Sequence, residues 1–161
     1  WGRRLLLKIV EQDGPPSIAI KHSRLMLSVR KDASFTNKAE TVERWYREQL
    51  RRAVEPLLPL WQKKIGVELD RLHIQRMKTR WGSCSPDGAM MFSWRLILAP
   101  PNVLDYVVAH EVAHLEELNH SRRFWAVVAE CEPDYRQLDA QLRRGWRNVP
   151  DWLRPQRKVK A

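Results

Sequence analysis

Three of the chain's five histidines fall within "DYVVAHEVAHLEELNHSRRFW", from Asp105 to Trp125. His110 and His114 are four residues apart. A helix advances about 100° per residue, so both imidazoles stand on one face. That pairing suits two corners of a tetrahedral Zn²⁺ site. Glu111 follows the first imidazole, angled to reach water at the metal without ligating it, as in an H-E-x-x-H helix. Zinc lowers the pKa of such water to about 7. A neighbouring carboxylate can then take its proton and hand it to a leaving amine. The competing reading is an amphipathic helix with two surface histidines. The surrounding valines and the nearby third histidine favour the metal site.

His120 does not complete the site on a straight helix. Ten residues amount to about 1000°, which leaves it roughly 80° from His110. The chain therefore has to turn between Leu115 and His120. In H-E-x-x-H-x-x-G-x-x-H sequences a glycine makes this turn; here Glu117 holds that position. Asn119 is the expected hinge, because Asn tolerates the left-handed conformation that ends helices. His120 is the favoured third ligand, with Glu116, Glu117 and Glu130 as alternatives, since zinc also takes His₂Glu ligation. An open fourth position would hold water. Cys84 or Cys131 filling it would make the metal structural.

The flanking sequence supplies the scaffold. Residues 3–31 read as an antiparallel β-meander of three short strands, with "LLLKIV" closed by the turn "QDGPPS". "TNKAETVERWYREQLRRAVEPLLPLWQKK" has helical spacing through Val42, Tyr46, Leu50 and Val54. Thr36 or Asn37 is expected to cap it, Pro56 and Pro59 to break it near Glu55, and Gly66 to close it. "LHIQRMKT" and "AMMFSW" read as a hairpin with "WGSCSPDG" as its long connection. Met90–Trp94 is expected to edge the cleft, where an extended peptide could pair with it. The metal helix starts at Pro100 and Pro101 and buries Val103, Leu104, Val107, Val108, Val112 and Leu115. Ser121 is placed to cap a second helix, and Pro133 and Gly145 to bracket a third.

The chain has 161 residues and a formal net charge of +10. The length fits one domain. The charge suits an anionic partner such as nucleic acid, although the basic residues are spread along the chain. No apolar run of about 18 residues predicts a membrane span. The basic-then-apolar start is too short for a signal peptide. The chain opens on Trp1, so the native start is expected to be trimmed or to lie upstream. Two cysteines make no disulfide framework, which fits a reducing, cytoplasmic setting.

"RWGSCS", "WRLILAPPNVLDYVVAHEVAHL", "NHSRRFW" and "PDY", in this order, resemble the YgjP-like metallopeptidase domain family, relatives of the SprT-like zincins. The resemblance covers roughly Arg3 to Trp146. It implies an α+β, zincin-like domain with an N-terminal β segment and a helical C-terminal part. It also implies His110, His114 and His120 as zinc ligands and Glu111 as catalytic base. The family commonly carries Asn where this chain has Ser93.

Arg80, Ser83, Tyr106 and Arg122 are candidates for the cleft, and Arg80, Tyr106 and Arg122 for stabilising an oxyanion. Trp81 and Gly82 read as a packing corner with a tight turn. Phe124 and Trp125 read as packing between helices. The resulting expectation is one zincin-like domain over residues 1–149, β-rich to residue 36 and catalytic from 37. A basic, loosely ordered tail occupies 150–161. The expected activity is zinc-dependent peptide hydrolysis. The alternatives are hydrolysis of a nucleoside triphosphate, and a nucleic-acid-binding module with a structural or vestigial metal.

Overall fold

The computed structural model describes residues 5–77 and 79–145. The expected basic tail lies outside them. Among the described residues, two small sheets and five α-helices make the α+β architecture, with the helix that carries His110 near its centre.

The first sheet contains β1 (Leu6–Glu11), β2 (Ser17–Lys21) and β3 (Arg24–Val29), in the order β1-β3-β2. It is mixed rather than the expected antiparallel meander: β2 pairs antiparallel with β3, and β1 pairs parallel with it. Burial explains the order. Leu25, Leu27 and Val29 are buried, so β3 takes the middle. The shorter β2 folds back onto one side through a two-residue turn, with His22 at φ 55. β1 is left on the other edge, with Leu6, Leu7 and Ile9 exposed.

Helix α1 (Phe35–Val54) covers β3 with Val42 and Tyr46. Its cap is Ser34, not Thr36 or Asn37: the Ser34 hydroxyl accepts the Asn37 N–H at 3.1 Å. α1 ends before Pro56, which lacks the N–H that another turn would need. α2 (Leu58–Ile65) has Pro59 in its first turn and stops at Gly66, whose φ of 82° is the left-handed C-cap.

The second sheet contains β4 (Arg71–Gln75), β5 (Gly82–Cys84) and β6 (Ala89–Ser93), in the order β4-β6-β5. The expected hairpin between the first and last of these does not form; β4 and β6 run parallel. The hairpin is β5–β6. Pro86, Asp87 and Gly88 make a turn tight enough to fold Gly82–Cys84 back on Met90–Phe92. Gly88 sits at φ 78, and its N–H donates to the Ser85 carbonyl at 3.0 Å. Met90 and Phe92 are wholly buried, so β6 is interior and β4 and β5 are the two edges.

A 3₁₀ helix (Trp94–Leu98) leads into α3 (Pro101–Ala113), followed by α4 (Arg122–Cys131) and α5 (Tyr135–Gly145). α2, α4, α5 and β5 all pack on α3. The indole N–H of Trp61 donates to Asp105 Oδ1 at 2.7 Å, tying α2 to α3. Lys64 donates to the Cys131 carbonyl at 2.8 Å, tying α2 to α4. Among the described residues, no helix is long and apolar enough to cross a membrane.

Candidate metal centre

α3 begins where the sequence places it, with Pro100 as N-cap and Pro101 at the first helical position. It is not an amphipathic helix with one exposed face. Val103, Val107, Val108 and Val112 are buried, and so are Tyr106, Ala109 and Ala113 on its other sides. A helix apolar nearly all round is an interior helix. Interior placement is what gives its few polar side chains unusual chemistry.

Glu111 is only 6% exposed. Burial disfavours its charged form and pushes the carboxyl up to about 8, partly offset by the charge of Arg80. His110 is pushed down to about 3, first by burial and then by the charges of His114 and His120. His114 is also lowered, mainly by burial. Neutral imidazoles are the form that a metal requires.

The helix ends at Ala113, with His114 as its C-cap. The ladder then tightens. The N–H groups of His114, Leu115 and Glu116 donate to carbonyls three residues back, at 3.0–3.2 Å. This unwinding needs only right-handed backbone. The left-handed hinge expected at Asn119 is absent: among the described residues, His22 is the sole non-glycine at positive φ. The Ser121 N–H donates back to the Asn119 carbonyl at 2.8 Å, folding the chain sharply across His120. Ser121 then caps α4, its hydroxyl accepting the Phe124 N–H at 3.2 Å.

The turn brings the three histidines together. One ring nitrogen from each of His110, His114 and His120 lies within 4.8 Å of the others. His110 Nε2 and His120 Nε2 are 3.2 Å apart. Zinc–nitrogen bonds of about 2.0–2.1 Å in a tetrahedron require nitrogens roughly 3.3 Å apart. The His110–His120 pair matches that spacing. The outward nitrogens also suit zinc. His114 Nδ1 donates to the Glu117 carbonyl at 3.0 Å, leaving Nε2 free of a proton. His110 Nδ1 lies 3.5 Å from the Tyr106 hydroxyl. Such partners orient ligating imidazoles.

The alternative ligands fall outside this cluster, which among the described residues is made of the three histidines alone. Glu116 is paired with Arg123 at 2.5 Å. Cys84 and Cys131 are free thiols. Of the cleft candidates, Tyr106 is buried beneath His110, and Arg80 is exposed with its charge felt at Glu111. Ser83 lies on β5, and Arg122 is exposed at the start of α4.

Gly82 was misread as a turn glycine. It lies in β5, against α3, and a Cβ there would meet Glu111 Oε1 at 2.5 Å and its Cγ and Cδ at 2.7 Å. The missing side chain is the space that the carboxylate occupies. The available signal was a glycine inside a strand, which marks close approach by another group.

A buried glutamate beside three converging imidazoles, on an interior helix of an α+β fold, is the arrangement of a metallopeptidase-type domain. The chain belongs to the YgjP-like metallopeptidase domain family, whose model matches residues 1–145. Its fold resembles the crystal structure of the metallopeptidase zymogen of Pyrococcus abyssi abylysin. That likeness has a TM-score of 0.54 at 21% identity, over 58% of this chain and 95% of that one. A segment of 45 residues is 40% identical to the UTP pyrophosphatase of Escherichia coli (strain K12). The match spans 28% of this chain and 27% of that relative, about a quarter of each.

Proposed function

We propose that the chain is a zinc-dependent hydrolase, and specifically a metalloendopeptidase. The observation that carries this reading is the convergence of His110, His114 and His120 within 4.8 Å beside the buried Glu111. Zinc in the site supplies Lewis acidity and acidifies water to a pKa of about 7. Glu111 accepts the proton of the attacking water on a carboxylate oxygen and returns it to the departing amine. Tyr106 and Glu117 hold the ligating rings through their outer nitrogens.

β5 supports the choice of a peptide. It is a sheet edge packed on α3 beside Glu111, and an extended chain can add to such an edge through main-chain hydrogen bonds. Arg80 is the candidate for steadying developing negative charge, because its charge already acts on Glu111.

A second reading is hydrolysis of a nucleoside triphosphate. The segment shared with a UTP pyrophosphatase favours it. The test is zinc-loaded protein assayed on a quenched fluorescent peptide library and on the four nucleoside triphosphates, each beside Glu111→Gln. Peptide cleavage that disappears in the variant is expected. Triphosphate turnover as the only activity lost in the variant would overturn the peptidase reading in favour of the second.

A further inference from the structure

His120 is the ligand that the helix does not position. His110 and His114 each have a hydrogen-bonding group behind the outer ring nitrogen, Tyr106 and the Glu117 carbonyl. His120 stands in the turn, exposed, and among the described residues its one hydrogen-bonding contact is with His110. Its ring is held by other rings. The indole of Trp125 stacks on it at 5.6 Å between centroids and 30° between planes. Phe124 meets it edge-on at 4.8 Å.

The stack continues beyond Trp125. Tyr135, the first residue of α5, lies against the indole at 5.2 Å and 22°. His120, Trp125 and Tyr135 form a ladder running from the turn, across α4, to α5. Phe124 has a different place: it touches all three imidazoles, at 4.9 Å for His110 and 4.3 Å for His114. It packs the whole cluster. Trp125 also lies 5.8 Å from His110, but there the rings are steeply inclined at 66°, so His120 is the ring it stacks on.

We propose that Trp125 is the positioning residue for His120: its indole, braced by Tyr135, sets the plane of the third ligand ring in place of a hydrogen bond. The proposal rests on the three-histidine site described above. Stacked aromatic rings attract one another beyond the area they bury. That is enough to favour one ring orientation in a turn that imposes none. It also gives Trp125 a role that packing between α4 and its neighbours does not require.

The test is a cycle of zinc affinities, measured by competition with a chromophoric chelator. It uses the full chain with Trp125→Leu and Trp125→Phe, each in the wild-type and His120→Ala backgrounds. Loss of a group that orients a ligand costs about 10–100-fold in metal affinity. Trp125→Leu is expected to weaken zinc binding by about 10-fold or more when His120 is present, and not further when it is absent. Trp125→Phe keeps a stacking ring and is expected to stay within about threefold of wild type. The cobalt-substituted Trp125→Leu protein should show shifted d–d bands, reporting altered ligand geometry. Equal losses in both backgrounds would make Trp125 a packing residue and overturn the proposal, as would no loss in either. If Trp125→Leu does not fold, Tyr135→Leu removes the brace instead, and a smaller loss that again depends on His120 is expected. Zinc affinity unchanged by His120→Ala alone would sink the three-histidine site and this proposal with it, a failure read from a different variant.

Discussion

Gly82→Ala is the sharpest perturbation of the catalytic geometry, because it adds one carbon atom in a known place. That carbon would stand 2.5 Å from Glu111 Oε1, where ordinary van der Waals contact begins at 3.4 Å. The far end of the Glu111 side chain therefore has to retreat by about 1 Å, and a misplacement of that size costs about 100-fold in rate. The backbone has little reason to object. Gly82 lies in a strand rather than at a positive φ, where Gly→Ala by itself stabilises by about 0.4–1 kcal/mol. That gain offsets part of the strain, but Cγ and Cδ of the buried Glu111 are crowded too, at 2.7 Å, so a net loss of about 1–2 kcal/mol in stability is expected. The three atoms nearest the new carbon all belong to Glu111 and none to a histidine, so zinc affinity should hold. The expected pattern is kcat down about 100-fold, with unchanged zinc affinity and a modestly lowered melting temperature. In a Glu111→Gln background the same substitution should cost no further activity, since the group it displaces has already been removed from the chemistry. Full activity in Gly82→Ala would refute the placement of the working carboxylate against β5. So would an equal loss in both backgrounds.

Glu111→Gln should retain zinc and lose about 10²–10⁴-fold in turnover, the usual share of a general base. The same variant carries a pH signature in the metal-free protein. The folded carboxyl, raised to about 8 from 4.5, binds its proton more tightly than the unfolded chain does. Wild-type stability should therefore fall as pH rises through that window, while the Gln variant lacks this fall; parallel urea curves for the two proteins would contradict it. Cys84 is pushed up to about 11, mainly by burial and then by the charges of Glu111 and Asp87, so its alkylation should be slow at pH 7 and accelerate towards pH 11. Fast labelling at neutral pH would show that the thiol is not shielded. Ser121→Ala removes the cap of α4 next to His120 and should cost about 1 kcal/mol in stability. It should also lower zinc affinity, which a competition titration would detect.

The parts of this structure that were legible in the sequence are those governed by local rules. Helical periodicity placed His110 and His114 on one face, and prolines and Gly66 marked where α1 and α2 stop and α3 starts. The need for a turn before His120 also followed from helix geometry. How that turn is made did not. Asn119 has the right propensity for a left-handed hinge, but the chain tightens its last turn instead, using right-handed backbone that any residue adopts. Strand pairing was misread for a similar reason. Alternation shows which residues share a face, and says little about which strand lies beside which. The first sheet therefore read as a meander, and β4 and β6 as a hairpin with β5 inside its connection, while burial of β3 and β6 put those strands in the middle. Gly82 and Trp125 were named for packing because their roles depend on Glu111 and His120, which lie far from them in one case and five residues away in the other.

The central claim is that three histidines hold a zinc ion and leave it open to water. Zinc K-edge absorption on the purified, zinc-loaded chain tests it directly. The account predicts three imidazole nitrogens at about 2.0–2.1 Å and one further oxygen, with the His120→Ala protein losing one nitrogen scatterer. A sulfur ligand at about 2.3 Å, or a nitrogen shell that His120→Ala leaves intact, would contradict it.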